Sequence, residues 1–352
     1  MRTGGDDIAY ILWLMGLRPK WSATGGRVIG LEVIPLKELG RPRIDVTTRI
    51  SGLFRDTFYN LVDMIDEGVE AIASLDESEE ENFILKHLRE DIQRSIREGL
   101  SPTEARARAM VRVFGDPPGG YGYGIDNLIE SSKWSTTKDL ADTYVTWGCH
   151  AYGRAWKGEK LPDSFQRRIC SMDVTVKNHE DREFDLLDID DDYGYLGGMN
   201  SVIREYADRK PLSIMGDSSD PQRLRTRTLE EESKFVFRSR VLNPKWLEGL
   251  KQHGYRGAME LSYLTEYVLG WDATSDIIEP WMYESLTEHF LLDEENRKWI
   301  EESNPYALRE MASRLLEAIE RGLWDASEEM REKLSQIFLD AESVLEEANE
   351  GR

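Results

Sequence analysis

A run of carboxylates between residues 185 and 192 is the first feature that could support metal chemistry. The run reads DLLDIDDD and is followed by YGYLGGM. Asp188, Asp190 and Asp192 match the first three ligand positions of an EF-hand loop. The sixth position, which needs glycine for its turn, is Tyr193, and the twelfth, which needs a bidentate glutamate, is Met199. Because both departures affect essential geometry, the sequence argues against a calcium loop of this type.

The same run also has a structural interpretation. Asp191 or Asp192 would cap a helix that starts near Gly197, and the remaining aspartates would face water. Aspartate is a favoured N-cap because its oxygens accept hydrogen bonds from the free amide groups of the first helical turn. The residues alone leave both a site and a cap open.

Histidine is the other residue type with suitable chemistry, because imidazole serves both as a metal ligand and as a base near neutral pH. His253 lies in KQHGYRGAMEL, seven residues before Glu260. If this segment is helical, the two side chains lie on nearly the same face and could hold a divalent metal or remove a proton. A structural pair is the alternative. His150, beside Cys149 in WGCHAYGR, is a further candidate ligand for a soft metal.

Several common catalytic motifs are absent from the sequence. No GxxxxGK[ST] motif occurs, so the chain has no P-loop and is not expected to hydrolyse ATP itself. The glycine-rich segment GGYGYG follows Pro117 and Pro118, where a phosphate-binding loop would follow a strand. No GxSxG nucleophile elbow is present. Generic enzyme motifs therefore do not identify an activity.

Composition limits the partners and the compartment. A net charge of −22 over 352 residues argues against nonspecific binding to nucleic acid or anionic membranes, and suits a cationic substrate, a metal ion or a basic protein. Cys149 and Cys170 form no CxxC pair, which argues against a zinc knuckle or a disulfide framework. No apolar run reaches 18 residues, and Asp6 and Asp7 stand where a signal peptide needs basic residues. We therefore expect a cytoplasmic protein without a membrane span.

The elements that must position these residues are mostly helical. Apolar spacing predicts helices at residues 6–16, 54–75, 83–98, 102–114, 136–152 and 198–207, and an almost entirely helical chain from about residue 228, ending in a helical hairpin. Alternation of β-branched residues predicts strands in RVIGLEVIPL, RIDVTTRIS, SMDVTVKN and PLSIMGD. The expected fold is α+β, predominantly helical with a few short strands. Four segments are expected: the incomplete end of an α/β domain at 1–75, a mainly helical segment at 76–164, a mixed α/β segment at 165–227 and a helical C-terminal segment at 228–352.

The order of longer phrases carries a family resemblance. The phrases IPLKELGRPRIDVTTRISGLFRDTF, WGCHAYGR, DDDYGYLGGM, RVLNPKWLEGLKQHGYRGAMEL and GWDATSDIIEPWMYESLTEHF follow one another along the chain. From about Arg2 to about Trp324 they resemble the large subunit of class I tetrapyrrole metal chelatases, the family of CobN-type cobaltochelatase and the magnesium chelatase H subunit. The resemblance is to the C-terminal portion of that larger, multidomain subunit. WGCHAYGR and WDATSDIIEPWMYESLTEHF favour the cobalt branch.

The resemblance implies an activity and a set of partners. The expected enzyme is an ATP-dependent cobaltochelatase that inserts Co2+ into hydrogenobyrinic acid a,c-diamide in cobalamin biosynthesis. Co2+ is then a substrate, and ATP is hydrolysed by AAA+ partner subunits of the CobS/CobT-like or I/D-like type, not by this chain. Metal insertion requires that two pyrrolic protons and the water ligands of the metal are removed, and a carboxylate or a neutral histidine suits both tasks.

The resemblance also suggests roles for individual residues. His253 and Glu260 are the first candidates for metal ligand and base. Asp191 and Asp192 are the second candidates, as metal ligands for cation delivery with Glu183 as an acidic relay. A further metal ligand would be His150. Four residues are expected to contact the macrocycle: Arg240, Asn243, Lys245 and Tyr193. For NPKW, a structural helix start is the alternative.

Two other functions stay open at the level of sequence. One is a magnesium chelatase H-type subunit that acts on protoporphyrin IX with Mg2+. The other is a noncatalytic assembly module that docks the AAA+ partners and binds neither metal nor macrocycle. Because the N-terminal head of the family is absent from the resemblance, a separately encoded N-terminal half is a further expected partner.

Overall fold

The computed structural model describes residues 4–350, with side chains described as far as residue 347. Arg2, where the resemblance begins, lies outside the described residues. The chain divides into two compact units. The first comprises Met1–Gly124 and Asp142–Met172, and the second comprises Ile125–Ala141 and Asp173–Arg352.

Helices and strands alternate over the first half of the chain. In chain order they are α1 (Asp6–Met15), β1 (Leu17–Trp21), β2 (Val28–Val33), α2 (Leu36–Leu39), β3 (Thr48–Ile50), α3 (Gly52–Thr57), α4 (Tyr59–Ala73), α5 (Phe83–Arg97), α6 (Pro102–Ala109), β4 (Val113–Gly115), α7 (Ile125–Glu130), α8 (Thr137–Gly148), β5 (His150–Tyr152), β6 (Lys157–Lys160) and α9 (Pro162–Cys170).

Helices dominate the second half. The elements there are, in chain order, β7 (Val174–His179), α10 (Asp190–Asp192), α11 (Gly198–Ala207), β8 (Leu212–Asp217), β9 (Arg225–Thr228), α12 (Leu229–Val236), α13 (Pro244–Lys251), α14 (Tyr255–Ser275), α15 (Pro280–Leu286), α16 (Glu294–Ser303), α17 (Pro305–Glu320) and α18 (Glu328–Glu350). Three π-helical turns lie at Tyr193–Gly197, Phe237–Val241 and Thr287–Leu292.

The first unit packs α1, α4 and α5 around an apolar core that includes Met15, Ile65 and Ile84. Helix α1 ends where predicted, because Gly16 adopts a left-handed conformation with φ 81° and its amide donates to carbonyl oxygens of the last turn. Strands β1 and β2 form an antiparallel pair. In a separate four-stranded sheet of order β3-β4-β5-β6, β3 runs parallel to β4 and the other neighbouring pairs are antiparallel.

Two helices of the first unit are shorter than predicted. The helix predicted over 102–114 ends at Ala109, and Val113–Gly115 form β4. The helix predicted over 136–152 ends at Gly148, and His150–Tyr152 form β5 between β4 and β6. Both predictions are wrong at their C-terminal ends, because backbone pairing with distant strands overrides a local apolar pattern that also fits a helix.

The second unit is built around α14, which buries Leu261, Val268 and Trp271 among others. Strands β7, β8 and β9 form a three-stranded sheet with β7 parallel to β8. The predicted hairpin at the end of the chain is confirmed as α17 and α18. The predicted α+β class with mainly helical content is confirmed as well. Within residues 4–350, no helix combines the length and the apolar character needed to cross a membrane.

Candidate functional site

The segment DDDYGYLGG, singled out in the sequence, forms a short helix that continues into a π-helical turn. Helix α10 supplies the three aspartates, and the turn Tyr193–Gly197 leads into α11. Tyr193 is 1% exposed, and its ring lies against Gly270 of α14. The described part of the chain supplies no hydrogen-bond partner for its hydroxyl group. π-Helical turns occur frequently at functional sites, so this turn marks the segment as a candidate.

Helix α14 presents two tyrosines and a glutamate next to Tyr193. The ring centroids of Tyr193 and Tyr267 are 6.1 Å apart, and those of Tyr263 and Tyr267 are 6.2 Å apart with nearly parallel planes at 12°. Tyr263 is 41% exposed, whereas Tyr267 is half-buried. Because residues three and four apart lie on one face of a helix, Tyr263, Glu266 and Tyr267 form one polar aromatic patch.

Two further carboxylates complete the arrangement, Asp126 at the start of α7 and Asp190 of α10. Burial raises the pKa of Asp126, and the negative charge of Asp190 adds to this effect. Burial is also the main cause that raises the pKa of Tyr193, with further contributions from Glu266, Asp190 and Asp126. We refer to Asp126, Asp190, Tyr193, Glu266 and Tyr267 as the tyrosine–carboxylate cluster.

Arg314 of α17 positions Glu266. Its Nη2 lies 2.9 Å from Glu266 Oε2, and its Nη1 donates to Glu317 Oε2 at 2.9 Å and to the carbonyl oxygen of Ile129 at 3.0 Å. Burial nevertheless raises the pKa of Glu266, because Arg314 offsets that effect only in part and the charges of Glu130 and Glu310 add to it. Glu266 is therefore a stronger base than an exposed glutamate.

The cluster is suited to proton transfer and to contact with a planar ligand. A carboxylate with a raised pKa accepts a proton more readily than an exposed carboxylate, and stacked aromatic rings bind flat apolar surfaces. Among the described side chains, no group of three or more His, Cys, Asp or Glu residues is placed to hold a metal ion.

Asp192 does not cap a helix, so the predicted N-cap role of this residue is wrong. Its buried carboxylate lies 2.6 Å from Lys177 Nζ and 2.8 Å from His179 Nε2, both on β7. It makes no capping hydrogen bond, since the chain enters the following turn without a break in its helical backbone. Burial opposes ionisation of Asp192, but the charge of Lys177 and the hydrogen bond to His179 prevail and lower its pKa. Asp191 is half-buried beside it.

Arg240, Asn243 and Lys245, which were predicted to contact the macrocycle, have different surroundings. Arg240 makes a bidentate contact with Asp185 at 2.7 and 2.6 Å and reaches Asp188 at 2.9 Å. It would have to leave these partners to bind a ligand. Asn243 accepts a hydrogen bond from the amide of Lys245 and caps α13, which is the structural alternative considered for NPKW. The side chain of Lys245 is exposed.

His253 and Glu260 do not share a helix, so the geometric premise for pairing them is wrong. Gly254, with φ 51°, separates His253 from α14, which begins at Tyr255. His253 is exposed in the turn before this helix. Glu260 accepts a 2.8 Å hydrogen bond from Arg256 Nε, and its charge contributes to the raised pKa of Tyr267. Glu260 therefore lies at the edge of the tyrosine–carboxylate cluster.

The remaining candidates lie elsewhere. His150 belongs to β5 of the first unit, where it is buried and its Nδ1 lies 3.1 Å from the carbonyl oxygen of Trp147. Burial lowers its pKa, so the ring is held neutral. Glu183 is exposed in the loop after β7.

Sequence reasoning missed Asp126, Glu266 and Tyr267. The available signal was the pattern YLTEY in the middle of α14, where polar residues interrupt a helix that is otherwise strongly apolar. Asp126 carries no comparable signal, because its position depends on how α7 packs in the second unit.

Comparisons with known proteins give the family. A family model described as CobN/Magnesium Chelatase matches residues 1–331. The aerobic cobaltochelatase subunit CobN of Pseudomonas aeruginosa is 45% identical over 342 residues, which cover 97% of this chain and 27% of that protein. The magnesium-chelatase H subunit of Chlorobaculum parvum is 35% identical over 350 residues, covering 98% of this chain and 27% of that protein.

A solved structure agrees with these matches. The catalytic subunit of cobaltochelatase from Mycobacterium tuberculosis is 43% identical, with a TM-score of 0.91 over 96% of this chain and 28% of that chain. The chain thus spans just over a quarter of the length of the relatives it matches. The resemblance inferred from the phrases of the sequence is confirmed, and the chain belongs to the CobN/magnesium chelatase family.

Proposed function

We propose that the chain is the C-terminal part of the tetrapyrrole-binding large subunit of an ATP-dependent cobaltochelatase, which inserts Co2+ into hydrogenobyrinic acid a,c-diamide in cobalamin biosynthesis. The observation that carries this proposal is the higher identity to the CobN subunit, 45%, than to the magnesium-chelatase H subunit, 35%, over nearly the same share of the chain. ATP would be hydrolysed by AAA+ partner subunits, in keeping with the absence of a P-loop motif from this sequence.

The macrocycle would bind against the stacked pair Tyr263 and Tyr267. The exposed ring of Tyr263 offers a flat apolar face at the edge of the cluster. The ring of Tyr267 stacks on its other face and fixes its orientation. An aromatic contact of this kind contributes about 0.5–1.5 kcal/mol beyond the buried area. Tyr193 would contact the ligand through its hydroxyl group, which stays protonated because its pKa is raised.

The two pyrrolic protons would pass to Glu266 and Asp126. Both carboxylates have a raised pKa for the same main reason, burial. Asp190 would take the proton on from Asp126, with which it interacts. Glu260 would extend this path towards solvent, since its half-exposed carboxylate lies on the same helix as Glu266.

An exposed histidine is the first candidate for cation delivery. His253 lies in the turn directly before α14 and is open to solvent, as transient ligation of an incoming ion requires. Asp191, Asp192 and Glu183 remain the second candidates, and His150 the third. Of these, Asp192 would first have to release Lys177 or His179.

The first test is an absorbance titration of the purified chain with hydrogenobyrinic acid a,c-diamide and, in parallel, with protoporphyrin IX. We expect a saturable spectral shift with the first compound. Tyr263→Leu should weaken binding by up to about tenfold, the equivalent of an aromatic contact. Tyr306→Leu is the matched control, because Tyr306 is a 54% exposed tyrosine on α17.

The second test separates binding from insertion in a complex reconstituted with AAA+ subunits. Glu266→Gln should keep tetrapyrrole affinity and lose insertion, whereas Glu284→Gln, at an exposed position of α15, should retain both. His253→Ala should lower the rate of insertion by weakening the apparent affinity for Co2+, so a higher Co2+ concentration should restore the rate. If insertion is unchanged in Glu266→Gln, the assignment of the base is wrong.

The titration also decides between the other two candidate functions. A shift with protoporphyrin IX alone would favour the magnesium branch. The 35% identity to the magnesium-chelatase H subunit over 98% of the chain is the observation that keeps this function a candidate. The absence of a shift with either tetrapyrrole would favour the assembly module, and binding of the chain to AAA+ subunits in sedimentation would then be the expected property.

A further inference from the structure

The first unit contains a cavity rich in arginine, which the proposed chelatase function does not use. It lies among α5, α6 and α9 and has a volume of about 10 Å3. Its lining residues are Asp91, Ser95, Arg108, Ala109, Ser164, Arg167 and Arg168. Such a volume admits one oxygen atom of the size of a water molecule. We call this feature the arginine cavity.

Several hydrogen-bond donors at the arginine cavity have no partner. Within the described part of the chain, Arg167 forms no ion pair, and its nearest polar contact is Ser164 Oγ at 3.5 Å from Nη2. The Nε atom of Arg108 is buried without a hydrogen-bond partner among these residues. Ser95 is 5% exposed, and its hydroxyl group has no partner there either. A buried donor without a partner, here Arg108 Nε, favours an acceptor that is not part of the protein.

Positive charge also exceeds negative charge around the arginine cavity. Arg168 is 7% exposed and donates to Asp91 Oδ2 at 2.9 Å, while its Nη1 lies 3.7 Å from Asp45 Oδ2. Asp45 already accepts a 2.6 Å hydrogen bond from the buried Arg112 Nε. Two buried guanidinium groups therefore share Asp45, and Arg167 adds a third positive charge, whereas Arg108 is paired with Glu104 at 2.8 Å. In agreement with this, burial and the charge of Arg112 lower the pKa of Arg168 to about 10.

We propose that the arginine cavity is a binding site for a small oxyanion, of which one terminal oxygen enters the cavity. That oxygen would accept hydrogen bonds from the Ser95 hydroxyl and from the guanidinium groups of Arg167 and Arg108. Arginine is suited to this task because its planar fork matches carboxylate and phosphate oxygens and keeps its charge at all relevant pH values. The anion would supply the negative charge that the surrounding side chains lack. Two sources share this chemistry, a free phosphate ion and the carboxylate of an organic ligand.

Thermal unfolding of the full chain tests the proposal. Sodium phosphate should raise the midpoint of unfolding in a saturable way, beyond the effect of sodium chloride at equal ionic strength, because a ligand that binds the folded state stabilises it. Arg167→Gln and Ser95→Ala should each weaken the apparent affinity, Arg167→Gln by at least about tenfold, as expected for a charged hydrogen bond. Arg106→Gln is the matched control, since it removes an exposed positive charge from the same helix that carries Arg108. Sodium acetate, in a parallel series, shows whether a carboxylate replaces phosphate.

The possible outcomes separate clearly. A response that is lost in Arg167→Gln and kept in Arg106→Gln supports the site. If only phosphate gives this response, the ligand is phosphate; if acetate gives it as well, the site also accepts a carboxylate. If neither anion exceeds the effect of chloride, the arginine cavity holds water and the proposal is wrong. Equal losses in Arg167→Gln and Arg106→Gln would mean a general charge effect, which also refutes it. Arg168 is left unchanged in these tests because its loss would unpair Asp91 and destabilise the fold.

Discussion

Gly270 offers a direct test of how Tyr193 is held in the tyrosine–carboxylate cluster. A Cβ atom at Gly270 would lie 3.0 Å from three carbon atoms of the Tyr193 ring, whereas carbon atoms normally pack at about 3.5–4.0 Å. In Gly270→Ala the ring must move by about 0.5 Å, and overpacking of this kind costs about 1–3 kcal/mol. Alanine gains about 1 kcal/mol over glycine within a helix. The net loss in the free energy of unfolding should lie between about 0 and 2 kcal/mol.

The matched control is Gly249→Ala in α13. A Cβ atom there meets nothing within 4 Å, so the helix gain of up to about 1 kcal/mol is unopposed. The two variants should therefore differ by about 1–3 kcal/mol when urea unfolding is followed by circular dichroism. Tetrapyrrole affinity should fall in Gly270→Ala and stay constant in Gly249→Ala. Equal stabilisation in both variants would refute the close contact between Gly270 and Tyr193.

Two further substitutions probe charges in the second unit. Arg314→Met should lower the free energy of unfolding by about 3–5 kcal/mol, because it leaves the half-buried Glu266 without its cationic partner, while Glu317 keeps only Arg321; a urea midpoint equal to wild type would contradict this. Burial raises the pKa of Asp272, which accepts a hydrogen bond from the Tyr283 hydroxyl, to about 7. The folded state then binds a proton that the unfolded chain lacks between about pH 4 and 7, so stability falls as pH rises through this window by up to about 1.4 kcal/mol per pH unit. Asp272→Asn should flatten this slope in urea titrations at several pH values, and an unchanged slope would argue against it.

The helices were largely predictable because their apolar periodicity is strong and local. Helix α1 ends at Gly16 as expected, α11 and β8 fall within a residue or two of their predicted positions, and the hairpin of α17 and α18 is present. Two strands of three residues, β4 and β5, were not predictable in the same way. β4 and β5 are defined by pairing with partners far apart in the sequence, and three residues contain too little pattern to reveal it.

The candidate site was predictable in part. The composition of the segment around Tyr193 indicated a candidate site, and this segment does contribute Asp190 and Tyr193 to the cluster. The cap assigned to Asp192 failed because Lys177 and His179, which precede it by 15 and 13 residues, reach its carboxylate across the fold. Helical spacing also failed for His253, since it cannot detect the turn at Gly254 that detaches this residue from α14. Contacts that depend on chain reversal are not encoded in periodicity.

Asp192 on α10 has properties opposite to those of Asp126 on α7 and Glu266 on α14, and the proposed roles follow this contrast. Lys177 and the hydrogen bond to His179 lower the pKa of Asp192 despite burial, so its carboxylate stays ionised and ties the start of the π-helical turn to β7. The pKa values of Asp126 and Glu266 are raised, because burial is incompletely offset. Enzymes separate acid–base roles by such differences in environment. A divalent ion that enters a tetrapyrrole displaces two protons, and groups that are easily protonated are needed at that moment more than a rigid metal cage. Under the proposed function, proton acceptance is therefore the contribution expected of this cluster.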